Sequence, residues 1–218
     1  MANLTQLKAL EDLAGFLLVD KPEGINFATV MKTVKRKFGL VKVGHGGSLD
    51  VQASGLMIIL VGDATKFDKD VMGADREYEI EVEDAGGLKS TPAILDEFRG
   101  DIFQTEPRFA VIKREDTGVY EEVDTGEHQP FMTHIYRIDE IDDGHVEGER
   151  GSISLQVKCT ARTNMRALAS DMGGSLKKCR RTKIGKFGVE DAIPFAKLLE
   201  LEMKDFSSCV MPLKKALQ

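Results

Sequence analysis

The chain has 218 residues, of which 42% are hydrophobic and 30% charged, and this length suffices to bury one large core. Its net charge of −6 taken alone argues against a nucleic-acid partner. No apolar run approaches the roughly 20 residues that cross a bilayer, and the N-terminus lacks the basic-then-apolar layout of a signal peptide. Three scattered cysteines form no disulfide framework or metal spacing, so we expect a reducing, cytoplasmic location without membrane contact.

The first third of the chain alternates apolar runs with turn signals. Residues 15–19 (GFLLV) predict a short strand, and residues 20–24 (DKPEG) predict the turn that ends it. Asn26 is a candidate N-cap for a helix whose apolar residues repeat at helical spacing and which ends at Gly39. The apolar run at residues 56–61 predicts a buried strand.

The middle of the chain predicts one helix at residues 63–72 and a shorter one at residues 92–99. Between them, residues 76–83 (REYEIEVE) alternate cleanly, which predicts a strand with Tyr78, Ile80 and Val82 on one face. Further strands are expected at residues 109–113, 133–141 and 152–159.

The last part predicts a helix over residues 164–178 despite a glycine pair, a basic strand up to residue 187, and a final helical region from residue 189. Strands and helices mix without a regular strand–helix–strand rhythm. We therefore expect an α+β fold with a mixed, largely antiparallel central sheet flanked by helices and loops.

Basic residues cluster in two runs that contain no acid. Residues 32–49 hold Lys32, Lys35, Arg36, Lys37 and Lys42; residues 172–189 hold Lys177, Lys178, Arg180, Arg181, Lys183 and Lys186. Residues 115–149 hold twelve acids and one arginine. Two basic runs segregated from an acidic surface can bind a polyanion, which makes Arg36, Lys42, Arg180 and Arg181 candidate contacts to a nucleic acid. Each run alone is also typical of a solvated helix face.

The segment GHGGSLDVQASG at residues 44–55 holds a single acid, Asp50, in a glycine-rich and otherwise uncharged turn. Such a loop lets another molecule's backbone approach closely and leaves one carboxylate facing it. An acid that only caps a backbone amide would also fit this segment in isolation.

Together with other segments in the same order, this loop makes the chain resemble the TruB-type tRNA pseudouridine synthases. The matching segments are GFLLVDKPEG (15–24), VKRKFG (34–39), VGHGGSLDVQASGLMIILVGDATKF (43–67), REYEIEV (76–82), FRGDIFQTEPRFAVIK (98–113), CTARTNMRALASDMGGSL (159–176), RRTKIGKFGVEDAI (180–193) and VMPLKKAL (210–217). The resemblance covers most of the chain from residue 15 onwards.

The resemblance implies a pseudouridine synthase fold and conversion of the T-loop uridine at tRNA position 55 to pseudouridine. Because that isomerisation breaks one glycosidic bond and rejoins the base through carbon without electron transfer, it implies neither a cofactor nor a metal. The expected organisation is an N-terminal extension at residues 1–14 and a catalytic domain at residues 15–218, without the RNA-binding PUA domain of many relatives. The expected partner is the tRNA T-arm, bound by a monomer.

The resemblance also implies roles for individual residues. Asp50 matches the family's nucleophile, Arg166 the arginine that pairs with it, and Tyr78 the tyrosine that stacks on the target base and helps to remove its proton. His45 matches a histidine that wedges into the RNA loop, and Lys21 lies in a turn near the active site, where we expect it to contact RNA.

Three departures from the family pattern stand out. Val51 occupies the place of a proline after the nucleophile, Asn164 that of a tyrosine, and Cys179 that of a leucine. The chain is also shorter than usual after Val82. These differences leave open two alternatives: a catalytically weak chaperone of the tRNA T-arm, or a pseudouridine synthase that acts on another RNA hairpin.

Overall fold

A computed structural model describes residues 13–85, 92–106, 109–113, 120–124, 129–141 and 151–218. Its strands are β1 Gly15–Lys21, β2 Val43–His45, β3 Ser54–Val61, β4 Arg76–Asp84, β5 Gly100–Glu106, β6 Phe109–Lys113, β7 Tyr120–Asp124, β8 Gln129–Glu140, β9 Ser152–Cys159, β10 Gly174–Ile184, β11 Phe187–Gly188, β12 Ile193–Pro194 and β13 Val210–Pro212. Its α-helices are α1 Phe27–Lys37, α2 Asp68–Gly73, α3 Pro92–Glu97, α4 Met165–Asp171, α5 Phe195–Glu200, α6 Met203–Cys209 and α7 Leu213–Ala216.

Within these residues, one large sheet has the strand order β12-β1-β3-β10-β4-β9-β8-β5, with β2, β11 and β13 paired at its sides. The pairs β1–β12 and β3–β10 are parallel and the others in this sheet are antiparallel. Strands β6 and β7 form a separate hairpin. The predicted α+β class with a mixed, largely antiparallel sheet is confirmed.

Strands β1 and β3 are buried on both faces, which explains their nearly continuous apolar sequences. On one face, Leu17 and Ile59 pack against α1 and the C-terminal helices, where the Phe38 and Phe206 rings stack with their centroids 3.9 Å apart. On the other face, Leu18 packs in a second apolar cluster. This double burial makes the β1–β3 pair a rigid base for the loops at its ends.

Several predicted elements are confirmed almost to the residue. Strand β1 continues two residues past the predicted end, Asn26 caps α1 by accepting a hydrogen bond from the Ala28 amide at 2.8 Å, and β9 has the predicted bounds. The predicted helix at residues 63–72 forms as a 3-10 turn followed by α2. The helical region expected from residue 189 begins as a short 3-10 turn, and β12 precedes α5.

The helix predicted over residues 164–178 is wrong in its second half. Helix α4 ends at Asp171, and Gly174 begins strand β10. Gly173 has a φ of +82°, a left-handed backbone conformation that glycine adopts freely and that ends a helix. The lysines after it therefore lie on a strand and not on a helix face.

No helix among the described residues is long and apolar enough to cross a membrane. The N-terminal extension, except for residues 13 and 14, lies outside the described residues, as do residues 86–91 of the loop after Val82 and residues 115–119, 125–128 and 142–149 of the acidic segment.

Candidate active site

The loop that carries Asp50 connects the paired strands β2 and β3. Its close packing requires glycine at two positions: a Cβ on Gly46 would lie 2.3 Å from a Val71 methyl group, and one on Gly55 would lie 2.2 Å from the Arg181 carbonyl oxygen. Gly55 also has a φ of +106°. The glycine-rich sequence of this loop therefore reflects packing within the protein at these two positions.

Asp50 projects from this loop with 47% of its side chain exposed. The Gln52 amide donates to its Oδ1 at 3.1 Å, and Arg166 Nη2 donates to its Oδ2 at 2.7 Å. Arg166 Nη2 also lies 3.4 Å from Gln52 Oε1. The carboxylate is thus oriented by two donors while part of it faces solvent, as a nucleophile that acts on a large substrate requires.

Arg166 lies in the first turn of α4, and Asn164 is the N-cap of that helix. The Asn164 side-chain oxygen accepts hydrogen bonds from the Arg166 amide at 2.9 Å and the Ala167 amide at 3.1 Å. Asparagine is among the best N-cap residues. Asn164, at the position where the resemblance leads us to expect a tyrosine, therefore fixes the backbone from which Arg166 extends.

Lys21 lies beneath the Asp50 loop and is fully buried. Its Nζ donates to the carbonyl oxygens of Ile25 at 2.8 Å, Pro22 at 2.9 Å and Val51 at 3.4 Å, which ties the turn after β1 to the residue that follows Asp50. Burial lowers the pKa of Lys21, and the nearby Asp50 charge partly opposes this effect. The structure thus buries Lys21, which was predicted to contact RNA, against the protein's own backbone.

Two arginines complete this buried set. Arg181, 2% exposed, donates to the carbonyl oxygens of Leu56 at 2.8 Å, Ser48 at 2.9 Å and Gly47 at 3.3 Å. Arg76, also 2% exposed, donates to the Gly46 carbonyl oxygen at 2.8 Å and to carbonyls at the end of α2. Burial and the neighbouring Arg181 lower the pKa of Arg76 to about 10. Arg181 was predicted to contact RNA, but its guanidinium is directed into the loop.

The three buried cations therefore hold the Asp50 loop through its carbonyl oxygens. Sequence reasoning missed Arg76, although a signal was present. Arg76 precedes Tyr78, Ile80 and Val82 at a spacing of two, so it is a charged residue on the apolar face of β4. A charge at such a position needs internal hydrogen-bond partners, and the loop carbonyls provide them.

Tyr78 lies on the same face of β4 and is 7% exposed. Burial raises the pKa of its phenol, and the neighbouring Arg181 partly opposes that shift. Cys179 lies in the same region, close enough for the charges of Asp50 and Arg166 to act on its thiol. Burial raises the pKa of this thiol to about 11. Cys179 is therefore a protonated, apolar neighbour of the site, in agreement with the expectation that it replaces a leucine.

His45 ends β2 at the entrance to the loop and is half-buried. Its Nδ1 accepts a hydrogen bond from the Gly47 amide at 3.1 Å, and its ring meets Phe27 edge-on with centroids 5.3 Å apart. These contacts leave part of the ring accessible. They also orient the imidazole from the protein side, which is compatible with insertion of its outer edge between RNA bases.

The first basic run forms an open cationic surface on α1 and the loop after it. Lys32, Lys35, Arg36 and Lys42 are exposed, and none of them forms an ion pair with another residue in the described part of the chain. We call this set the α1 surface. It retains the charge that the sequence indicated, and a phosphate backbone could reach it.

The second basic run is largely neutralised, which corrects the expectation of two free basic patches. Strand β10 pairs with the acidic strand β4, and Lys177 and Lys178 lie 2.9 and 2.7 Å from the Glu81 carboxylate. Arg180 makes two hydrogen bonds to Asp20, at 2.8 and 3.1 Å. Because glutamates alternate along β4, cross-strand pairing uses the basic charges within the protein.

Known proteins resemble this chain in sequence and in fold. The family described as "TruB family pseudouridylate synthase (N terminal domain)" matches residues 35–86, which include Asp50 and Tyr78. The chain is 30% identical to tRNA pseudouridine synthase B of Corynebacterium glutamicum, across 85% of this chain and 72% of that protein. It is 32% identical to the protein of the same name from Aromatoleum aromaticum, across 84% of this chain and 67% of that one.

Solved structures share the fold at lower identity. A chain of the archaeal box H/ACA sRNP Nop10–Cbf5 complex superimposes with a TM-score of 0.72 at 22% identity, and a chain of a Cbf5–Nop10–Gar1 complex with 0.72 at 24%. This protein covers 63% of each of those chains. This chain covers more than two thirds of each of the two sequence relatives, at 30% identity or more. The chain therefore belongs to the TruB family of pseudouridine synthases.

Proposed function

We propose that this protein is a tRNA pseudouridine synthase that isomerises the T-loop uridine at position 55, with Asp50 as the nucleophile. The relatives named tRNA pseudouridine synthase B support the reaction class and the substrate class. The observation that supports the choice of Asp50 and Arg166 is the 2.7 Å contact between Arg166 Nη2 and Asp50 Oδ2, because it joins the two positions that match the family motifs.

Asp50 would attack the flipped-out nucleotide, and the base would then detach, turn and rejoin through carbon. Arg166 holds the carboxylate through one oxygen and balances its charge, so that Oδ1, which accepts only from the Gln52 amide among the described contacts, remains the freer oxygen. The buried cations Lys21, Arg76 and Arg181 keep the loop in this conformation before substrate arrives, which lowers the cost of reaching the reactive geometry.

Tyr78 supplies the aromatic platform of the proposal. Only a small part of the ring is accessible in the free protein, and a flipped base would stack on that part. Because burial raises the pKa of the phenol, the hydroxyl is protonated at neutral pH. It therefore acts first as a hydrogen-bond donor, and as a base only while another group, such as the adjacent Arg181, stabilises the phenolate.

The α1 surface and the outer edge of His45 would contact the T-arm. The α1 surface brings exposed lysines and arginine toward phosphates, and His45 follows it in the chain at the mouth of the Asp50 loop. Arg180 stays a candidate RNA contact, although two of its N–H groups already donate to Asp20. We place this reaction in the cytoplasm. We also assign it to a monomer, and size-exclusion chromatography with light scattering would test the oligomeric state.

The direct test is incubation of the protein with unmodified tRNA, followed by chemical mapping of pseudouridine. We expect one modified site, at position 55, with wild-type protein and none with Asp50→Ala. Tight tRNA binding without any pseudouridine would favour the chaperone alternative. Modification of another RNA hairpin in preference to tRNA would keep the enzyme class and overturn the substrate.

A further inference from the structure

The backbone of Asn164, the N-cap of α4, is held by a side chain from the last strand of the sheet order. Gln104 lies on β5, the last strand in the sheet order, and is only 1% exposed. Its Nε2 donates to the Asn164 carbonyl oxygen at 3.1 Å, and the Asn164 amide donates to its Oε1 at 2.9 Å. One amide group thus satisfies both backbone groups of Asn164, as a neighbouring strand would.

A second network fixes the turn just before Asn164. The buried Thr133 hydroxyl, on β8, lies 2.7 Å from the Thr160 hydroxyl and 2.5 Å from the Thr163 hydroxyl. The Thr160 amide donates to the His134 carbonyl oxygen at 2.9 Å, and the His134 amide donates to the Thr160 hydroxyl at 3.1 Å. Strands β5 and β8 therefore hold the turn at residues 160–164 through side chains on two sides.

This arrangement matters for Arg166 because the arginine has little else to fix it. Its side chain is 58% exposed, and its helix spans only the seven residues Met165–Asp171. A helix of two turns has little stability of its own, so its start depends on tertiary contacts. The position of the Arg166 backbone then determines whether its guanidinium meets Asp50.

We propose that Gln104, assisted by Thr133, is a positioning residue for the reaction: its amide holds the Asn164 backbone so that Arg166 extends toward Asp50. This inference rests on the proposed function and adds a role for residues that do not touch the substrate. The chain of contacts runs from Gln104 to the Asn164 backbone, from the Asn164 side chain to the Arg166 amide, and from the Arg166 guanidinium to Asp50.

The test compares Gln104→Ala and the volume-matched Gln104→Met with Thr133→Val, which loses only the hydroxyl. Thr105→Ala is the matched control, since Thr105 is the next residue on β5 and is exposed. Single-turnover rates and tRNA Kd values are measured separately. Because small displacements of a catalytic group can cost about a hundredfold, we expect the rate to fall about 10- to 100-fold while Kd changes less than about threefold. The control should match wild type in both.

A double-mutant cycle with Arg166→Lys tests whether Gln104 acts through Arg166. We expect Gln104→Ala to slow the Arg166→Lys protein by at most about threefold, because the guanidinium that it positions is gone. Wild-type rates in the Gln104 and Thr133 variants, or an equal loss in both backgrounds, would overturn the inference.

Hydrogen exchange separates this inference from the proposed function. Loss of the Gln104 amide should speed exchange at the Arg166 and Ala167 amides while the amides of α1 remain as protected as in wild type. If wild-type protein makes no pseudouridine, the proposed function fails and the exchange experiment alone decides whether Gln104 holds the start of α4. Unchanged exchange at these amides would overturn that role.

Discussion

Arg166 Nη2 lies 2.7 Å from Asp50 Oδ2, although the two residues are 116 positions apart in the sequence. One extends from the loop between β2 and β3, and the other from the first turn of α4. Both side chains are about half exposed, so solvent screening makes the pair a modest source of stability. The pair is better explained as a contact that orients the Asp50 carboxylate. Substitution of Asp50 or Arg166 should therefore affect catalysis more than stability.

Asp50→Ala should reduce pseudouridine formation by about a thousandfold or more, because no other described carboxylate occupies this loop. Binding of tRNA should persist or tighten slightly, since a negative charge near the phosphates is removed. Rapid-quench measurement and filter binding would report the two effects. Asp63→Ala is the charge-matched control, because the only ion pair of Asp63 among the described residues is an exposed one with Lys66. Near wild-type turnover by Asp50→Ala would refute the nucleophile assignment.

Tyr78→Phe should preserve tRNA affinity and slow the chemical step, because the ring remains while its hydroxyl is lost. Tyr78→Leu should also weaken binding, since stacking on an aromatic contributes roughly 1–3 kcal/mol per base. Tyr136→Phe is the control, because that phenol is exposed and donates to Asp75 at 3.3 Å. Equal rates for Tyr78→Phe and wild type would restrict Tyr78 to a surface role.

Asn164→Ala should lower the free energy of unfolding by about 1 kcal/mol, the usual cost of losing an N-cap side chain. It should also slow the reaction, because the cap precedes Arg166. Asn26→Ala removes the equivalent cap from α1 and should cost similar stability with a smaller effect on the rate. Denaturant melts and single-turnover rates on both variants would separate the two consequences. Equal rate losses would show that the effect of Asn164 is general destabilisation.

Replacing Lys35 and Arg36 by glutamine should weaken tRNA binding and make it less sensitive to salt. Each phosphate contact that is lost should reduce the log–log salt slope by roughly 0.7–0.9. The charge-matched control replaces Lys177 and Lys178 by glutamine, because these lysines already pair with Glu81. Binding measured across a salt series would distinguish the two sites. If the control lost more tRNA affinity than the Lys35 and Arg36 variant, the RNA-binding surface would lie on β10 instead of α1.

Glu81 links the pairing of β4 and β10 to acid stability. Hydrogen bonds from Lys177 and Lys178 lower its pKa from 4.5 to about 2. Since folding depresses this pKa, the ionised carboxylate stabilises the protein fully above pH 4.5 and loses that contribution as the pH falls through about 2. Glu81→Gln should therefore be less stable than wild type at neutral pH, and the difference should vanish near pH 2.

Urea melts at several pH values would measure this difference. Glu79→Gln is the control on the same strand, because Glu79 forms no ion pair with another described residue. A difference between Glu81→Gln and wild type that does not depend on pH would contradict the proposed linkage.

The local sequence determined the elements whose signals are short in range. Strand β1, the Asn26 cap, the alternating strand β4 and the glycine-rich loop could all be predicted, because period, capping and turn chemistry depend on neighbouring residues. The family resemblance added Asp50, Tyr78 and Arg166 as candidates. The boundary between α4 and β10 could not be predicted, since apolar spacing continues through Gly173 and only the left-handed turn ends the helix.

Tertiary structure alone decided what the charged residues do. In the sequence, Lys21, Arg181 and the lysines of β10 look equivalent to those of α1. Folding buries Lys21 and Arg181 beneath the Asp50 loop and sets Lys177 and Lys178 against Glu81, while the α1 surface stays open. A side chain's charge is local information, but its partner is chosen by the pairing of distant strands, and that pairing determines whether the charge binds the protein itself or remains available for RNA.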